Sequence, residues 1–142
     1  MADRVLVPVD ESEQAEEACQ LVFEEFPEAT IVLLHVINPS KASFSPETSL
    51  PSYSEEWYEQ EKDRAREQFE SIEQDAQEHG IEAESAIEVG KPSRTVVEFA
   101  EENDIDHIVM GSHGRQGVSR ILLGSVAETV VRRSSLPVTV VR

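Results

Sequence analysis

The chain of 142 residues suits one domain, spanning 1–142, that buries about two-thirds of the surface of the unfolded chain. Its 12 basic and 29 acidic side chains give a net charge of −17, which argues against nucleic acid as a partner, because phosphate backbones are bound by Lys and Arg. No stretch approaches the roughly twenty apolar residues of a membrane helix, and the first residues lead into a strand instead of a signal peptide, so we expect a cytoplasmic protein.

The negative charge is distributed unevenly along the chain. Residues 107–142 contain one acid, Glu128, against five arginines, so this segment carries +4 and residues 1–106 carry −21. Glutamate dominates elsewhere and lysine is scarce, which is typical of a halophilic protein from a high-salt cytoplasm. We therefore expect an anion site in the basic segment and a fold that is stabilised when salt screens its self-repulsion.

The first predicted strand is Arg4–Val9, whose β-branched residues both faces of a sheet could bury. Asp10 follows at its carboxyl end, and apolar residues then recur at helical spacing over 15–26. Ser12 is a natural N-cap for this helix. Asp10 could share the capping or contact a ligand, and the spacing alone favours neither role.

The central part of the chain alternates between strands and one long helix. A buried strand is predicted over Thr30–Ile37, followed by a Pro- and Ser-rich loop over 38–54 that is long enough to act as a mobile cover. The predicted helix from Glu55 to about Glu78 has one apolar stripe, and we interpret its many acids as a solvated face. The alternating segment Ile81–Val89 indicates a strand at a sheet edge.

Two side chains of reactive type receive no chemical role. Cys19 lies on the apolar stripe of the first helix, which favours a small core residue over a reactive thiol. His35 stands alone in the second strand, without another His or Cys at metal-ligand spacing. We therefore assign no catalytic residue and no metal site to these positions.

The last third of the chain completes an α/β pattern. Its predicted elements are a helix over Arg94–Asn103 with Ser93 as N-cap, a strand over His107–Gly111, a helix over Ser125–Arg133 and a strand over Leu136–Val141. Helical crossovers join parallel strands, so we predict an open five-stranded parallel sheet, doubly wound, with helices on both faces. Ligands bind such sheets at the carboxyl ends of the strands where strand order reverses, and Asp10 and Gly111 would meet there if strands one and four are neighbours.

A glycine-rich loop joins the fourth strand to the last helix within residues 108–126, IVMGSHGRQGVSRILLGSV. Glycine permits positive φ and close backbone approach, and a helix N-terminus supplies unpaired N–H donors, so this arrangement suits a phosphate. The residues fit neither a P-loop, which needs Lys followed by Ser or Thr, nor the G-x-G-x-x-G dinucleotide fingerprint. A glycine-rich turn without a ligand is the alternative interpretation.

The spacing G-x2-G-x9-G-S in this loop resembles the nucleotide-binding signature of the universal stress protein family, ATP-binding branch. The resemblance covers essentially the whole chain and implies the fold of adenine nucleotide alpha hydrolase-like proteins. It also implies that ATP, ADP or AMP binds, with Mg²⁺ bridging the phosphates of ATP. The implied nucleotide-binding residues are Pro8, Val9, Asp10, Val36, Met110, Gly111, Gly114, Gly124, Ser125 and Val126.

These features predict an ATP-binding regulatory protein of the stress response, whose occupancy is read by an unidentified partner or across a dimer interface. A slow ATPase or phosphotransferase is the first alternative, with His113 and Arg115 as the only catalytic candidates in the loop. A scaffold that has the fold but holds no nucleotide is the second. Because Leu136–Val141 is apolar on both faces and ends the chain, we also expect a homodimer formed by pairing of this strand.

Overall fold

Strands and helices alternate throughout the protein. The computed structural model describes residues 3–10, 13–39, 51–112 and 124–142. The elements are β1 (Arg4–Pro8), α1 (Glu13–Glu25), β2 (Thr30–Ile37), α2 (Pro51–Glu78), β3 (Ala83–Val89), α3 (Pro92–Glu102), β4 (His107–Gly111), α4 (Ser125–Arg133) and β5 (Val138–Val141). Within the described ranges, no helix is long and apolar enough to cross a membrane.

All five strands form one parallel sheet in the order β3-β2-β1-β4-β5. The predicted α/β class and five-stranded parallel sheet are therefore confirmed. Strand order reverses between β1 and β4, where Val5 pairs with His107 and Leu6 pairs with Ile108. β1 and β4 are therefore neighbours, which is the condition under which Asp10 and Gly111 meet, and β3 and β5 lie at the edges of the sheet.

Two apolar layers cover the two faces of the sheet. Val5 and Val7 of β1 pack in a layer with α1 and α2, whereas Leu6 packs in the opposite layer with α3 and α4. Successive side chains of a strand point to opposite faces, so β1 contributes to both layers and is buried from both sides. The strand that precedes Asp10 is therefore fixed at the centre of the fold.

Cys19 lies in the layer beneath α1 and α2 with 2% of its surface exposed, as the apolar stripe of α1 predicted. Burial raises the pKa of its thiol to about 12, and the negative charges of Glu16 and Asp75 add to this shift. A neutral thiol is a weak nucleophile, so this side chain acts as a small core residue.

Two predicted helix starts are wrong. α2 begins at Pro51, inside the predicted 38–54 loop. α3 begins at Pro92 with Lys91 as its N-cap and without a capping side chain, whereas Ser93, the predicted cap, is buried in the first turn. Proline explains both errors, because its fixed φ and missing N–H suit the first turn of a helix.

Three predicted strand ends are also wrong. β1 ends at Pro8 instead of Val9, β3 begins at Ala83 instead of Ile81, and β5 begins at Val138 instead of Leu136. The residues just outside the strands still pack against the core, with Ile81 buried and Leu136 partly buried. An apolar pattern in the sequence indicates which residues are buried and not which residues form strand hydrogen bonds. The predicted strands therefore extend past the hydrogen-bonded ones.

Candidate functional site

A cavity of about 560 Å³ opens at the carboxyl ends of the strands, where the order reverses between β1 and β4. Its lining includes nine of the ten residues implied by the sequence: Pro8, Val9, Asp10, Val36, Met110, Gly111, Gly124, Ser125 and Val126. The tenth residue, Gly114, lies outside the described residues, as do the catalytic candidates His113 and Arg115 and the predicted cap Ser12. The cavity has the volume typical of small-molecule sites, roughly 300–1,000 Å³.

One part of the cavity wall is apolar. Val9 belongs to the layer of α1 and α2, whereas Val36 and Met110 belong to the layer of α3 and α4. The cavity therefore opens at the end of the sheet, between the two layers. Val9 and Met110 are almost fully buried, so they form a fixed wall against which a flat apolar group can pack.

The N-terminus of α4 forms another part of the wall, with Gly124 as its N-cap. Gly124 has φ −65° and ψ 161°, so it does not use the positive φ that glycine permits. Its N–H donates to the carbonyl oxygen of Ser112 at 2.6 Å and is therefore already satisfied. Among the described residues, the N–H groups of Ser125, Val126 and Ala127 have no acceptor and no side chain caps the helix. These three first-turn amides, and not the amide of Gly124, are suited to an anion.

Polar side chains from β2, from the residue that follows it and from α2 complete the lining, and none of them was assigned to a site from the sequence. They are His35, Asn38, Glu61, Arg64 and Gln68. The acids of α2 were interpreted as a solvated face, yet Glu61 and Gln68 lie on the helical stripe that continues through the buried Ala65 and Ile72. Polar residues at the start of an apolar stripe were the signal that this end of α2 covers something other than the core.

Two of these side chains bind the backbone next to the cavity. His35 Nδ1 lies 3.0 Å from the carbonyl oxygen of Val9. Gln68 Nε2 donates to the carbonyl oxygen of Asp10 at 2.5 Å. The side chain of Asp10 is exposed at the cavity. The sequence assigned His35 no chemical role, and the structure shows its ring in contact with the backbone of Val9.

The basic side chains near the cavity are described in part, because Arg115 and Arg120 of the 107–142 segment lie outside the described residues. Among the described lining residues the basic side chain is Arg64 of α2, which pairs with Glu61 at 3.3 Å. Two arginines of the basic 107–142 segment, Arg132 and Arg133, instead lie in the last turn of α4, at the end away from the cavity. There they complement the negative end of the helix dipole, so they do not form the expected anion site.

The fold and the cavity together define an α/β protein with a cavity of small-molecule size at its topological switch point. The sequence model of the universal stress protein family matches residues 1–142, and the chain belongs to this family. The universal stress protein MJ0577 of Methanocaldococcus jannaschii is 33% identical over 155 aligned positions, which cover 100% of this chain and 96% of that protein. The solved structure of MJ0577 has a TM-score of 0.85 at 34% identity, covering 98% of this chain and 94% of the other.

Two more distant structures share the fold. A universal stress protein in complex with cAMP has a TM-score of 0.69 at 24% identity and covers 99% of this chain and 97% of its own. A family member from Arabidopsis thaliana with AMP bound has a TM-score of 0.71 at 20% identity, covering 98% of this chain and 90% of its own. At these identities the likeness establishes the arrangement of strands and helices.

Proposed function

We propose that this protein is an ATP-binding regulatory protein of the stress response that holds an adenine nucleotide in the cavity between β1 and β4. The proposal rests on one observation: nine of the ten residues implied by the sequence, from separate parts of the chain, line one cavity. Relatives of the same fold hold AMP and cAMP, which supports an adenine nucleotide as the ligand class. The choice of ATP rests on the G-x2-G-x9-G-S spacing of the loop that ends at Gly124 and Ser125.

The lining suggests one orientation of the nucleotide. Adenine would pack against the apolar wall of Val9 and Val36, beside Pro8. The Asp10 carboxylate would accept hydrogen bonds from hydroxyl groups of the ribose. The phosphates would then lie at the N-terminus of α4, where the Ser125 hydroxyl and three amides are suited to an anion.

Mg²⁺ would reach the site together with ATP. The described ranges contain no group of three or more His, Cys, Asp or Glu side chains able to hold a metal ion. Mg²⁺ commonly keeps several waters and binds through substrate phosphates. We therefore expect phosphate oxygens and water to supply most of its coordination, and AMP to bind without a magnesium requirement.

We further propose a homodimer through the segment Leu136–Val141. β5 lies at a sheet edge, and its four residues are only half-buried although three of them are valines. An edge strand carries unpaired N–H and C=O groups that a second copy can pair. Through such an interface, nucleotide binding in one copy would influence the other copy.

Calorimetric titration with ATP, AMP and adenosine tests the nucleotide proposal. In molar KCl, wild-type protein should bind ATP, and GTP serves as the control for base selection. Asp10→Ala should weaken all three adenine ligands by a similar factor, because its contact is with the nucleoside. Wild-type protein that binds none of the three at millimolar concentration would contradict the proposal, and mass spectrometry of ligand released from freshly purified protein provides an independent check.

A further inference from the structure

We propose that His35 and Gln68 are positioning residues that fix the backbone of Val9 and Asp10 and thereby orient the Asp10 carboxylate in the cavity. This inference rests on the proposed nucleotide site and adds two residues to it. Neither side chain is required to touch the ligand. Each acts through the peptide groups that follow β1.

The backbone at Val9 is held by β2 on both sides of its Cα atom. Its N–H donates to the carbonyl oxygen of Leu34 at 2.8 Å, and its carbonyl oxygen lies 3.0 Å from His35 Nδ1. Because a carbonyl oxygen can only accept, the ring nitrogen that faces it must carry the hydrogen. His35 therefore donates from Nδ1 in this contact.

The next carbonyl, that of Asp10, is held by a side chain of α2. Gln68 Nε2 donates to it at 2.5 Å across 58 positions in sequence. Gln68 lies on a well-packed part of α2, because its neighbours Ala65 and Phe69 are only 1% and 4% exposed. Two successive carbonyl groups are thus satisfied by side chains from two different elements, β2 and α2.

This arrangement matters because β1 has already ended at Pro8. Val9 and Asp10 line the cavity just past the end of the strand, and the exposed Asp10 is not packed in the core. The direction of its carboxylate therefore depends on the torsion angles of its backbone as well as on those of its side chain. Fixing those angles before the ligand arrives removes an ordering cost from binding.

A double-mutant cycle between Gln68 and Asp10 tests the inference. Gln68→Leu removes the donor and keeps most of the side-chain volume, and Gln74→Leu is the matched control on an exposed position of the same helix. We expect Gln68→Leu to weaken ATP binding by about 2- to 150-fold, the range of coupling between contacting residues, and Gln74→Leu to leave it unchanged. Asp10→Ala should then cost much less in the Gln68→Leu background than in wild type.

A purely structural role of Gln68 would give a different pattern. The effects of Gln68→Leu and Asp10→Ala would multiply, and that result would overturn the inference although wild-type protein still binds ATP. Absence of ATP binding by the wild type would instead contradict the proposed function. Gln68→Glu is a second, isosteric variant that removes the donor and places a carboxylate against the carbonyl, so it should weaken binding at least as much as Gln68→Leu.

His35 is tested by substitution and rescue. His35→Phe keeps a ring and removes the Nδ1 donor, so ATP affinity should fall, whereas His35→Asn retains an amide donor near the same place and should recover a large part of the loss. Circular dichroism and urea unfolding of each variant establish that the folded state is being titrated. Equal affinities of folded His35→Phe and His35→Asn would refute the positioning role of this residue.

Discussion

Gly111 lies directly beneath Gln14 of α1, so that a Cβ atom added to Gly111 would be 2.7 Å from the Cβ atom of Gln14. Real Cβ atoms essentially never approach so closely, and the contact is with the base of the Gln14 side chain, which cannot rotate away. The glycine at the end of β4 is therefore required by the packing of α1 on the sheet. This requirement exists whether or not a phosphate is present.

Gly111→Ala should destabilise the protein by about 1–3 kcal/mol, as overpacking of a close contact usually does. The double variant Gly111→Ala, Gln14→Gly has a Cβ atom at position 111 but none at position 14, so the close contact is relieved and most of the lost stability should be recovered. Glycine within a helix costs about 0.5–1 kcal/mol, and this part should not be recovered. Urea unfolding in constant KCl gives the four free energies. If the two substitutions are simply additive, the contact between Gly111 and Gln14 does not limit the packing.

Gly124→Val should weaken nucleotide binding more than it weakens the fold. The backbone at Gly124 is extended, so valine can adopt it, but its side chain would stand at the N-terminus of α4 where the phosphates are proposed to bind. We expect ATP affinity to fall more than adenosine affinity. Ser125→Ala should have a smaller effect, of about 1–3 kcal/mol, because it removes one hydroxyl and leaves the first-turn amides in place.

Calorimetric titrations of Gly124→Val and Ser125→Ala test both expectations. Calorimetry of both variants with ATP and adenosine separates phosphate contacts from nucleoside contacts, and urea unfolding measures stability. Gly114→Val belongs to the same series, because the sequence signature assigns Gly114 to the loop. Wild-type ATP affinity in Gly124→Val would place the phosphates elsewhere in the cavity.

The element bounds predicted from the sequence agree best with the structure where burial and backbone hydrogen bonding coincide. The bounds of Thr30–Ile37, His107–Gly111 and Ser125–Arg133 agree with the structure, because in each the apolar run is flanked by polar or glycine residues that mark the end of an element. The adjacency of β1 and β4 was only a condition of the sequence argument, because the pattern of elements fixes the class of sheet and not its strand order. The contribution of α2 did not follow, because the Gln68 contact with Asp10 spans 58 positions and local periodicity carries no information about it.

The acidic surface of α2 predicts a salt-dependent fold. α2 has ten acidic and three basic side chains, and the bases already pair with acids three residues away, Lys62 with Glu59, Arg64 with Glu61 and Arg66 with Asp63. The remaining charge is net negative, and its repulsion reaches about 10 Å at 0.1 M salt but only about 3 Å at 1 M. We expect the thermal midpoint to rise with KCl, by about 2–4 °C for each kcal/mol gained.

Circular dichroism at low and high KCl measures this shift. The matched variant Glu70→Gln, Glu78→Gln removes two exposed acids from the same helix, so its midpoint should depend less on salt than that of the wild type. Equal midpoints for the wild type at both salt concentrations would show that self-repulsion does not limit stability.

Burial of Cys19 predicts a stability loss in alkali. The pKa of this thiol is about 12 in the folded protein against an ordinary value of 9.0, so the unfolded chain loses its proton first as pH rises. The folded state then binds more protons than the unfolded state, and stability must fall between pH 9 and pH 12. Below pH 9 the thiol is neutral in both states and contributes no pH dependence.

Comparison with Cys19→Ala isolates the thiol from other groups that titrate in alkali. The free energy of unfolding of the wild type should fall more steeply above pH 9 than that of the variant. A thiol reagent should also label native protein far more slowly than unfolded protein, because the side chain is 2% exposed. Parallel pH profiles for the two proteins would argue that Cys19 is not desolvated in solution.

The ladder between β4 and β5 indicates which groups of β5 remain for a second copy. The N–H groups of Ile108 and Ser112 donate to the carbonyl oxygens of Pro137 and Val141, respectively. The backbone groups of alternate residues of β5 therefore face β4. The N–H group of Val140 lies between these positions and points to the outer edge. Val140→Pro should therefore disrupt a β5-mediated dimer while preserving the ladder to β4.

Light scattering distinguishes the monomer of 15.9 kDa from a dimer of twice that mass. Ser85→Pro on β3 is the control at the opposite sheet edge and should leave the dimer intact. A wild-type protein that stays monomeric at micromolar concentration and above, in molar KCl, would exclude the proposed interface.

The pairing of Val5 with His107 joins strands that are separated by most of the chain. During synthesis, β1 emerges from the ribosome early, but its partner β4 follows only after three helices and two strands have been made. Closing so long a loop is entropically costly and slow compared with local helix formation. The crevice between these strands is therefore absent from a nascent or truncated chain, and any molecule that recognises it distinguishes finished copies of the protein from incomplete ones.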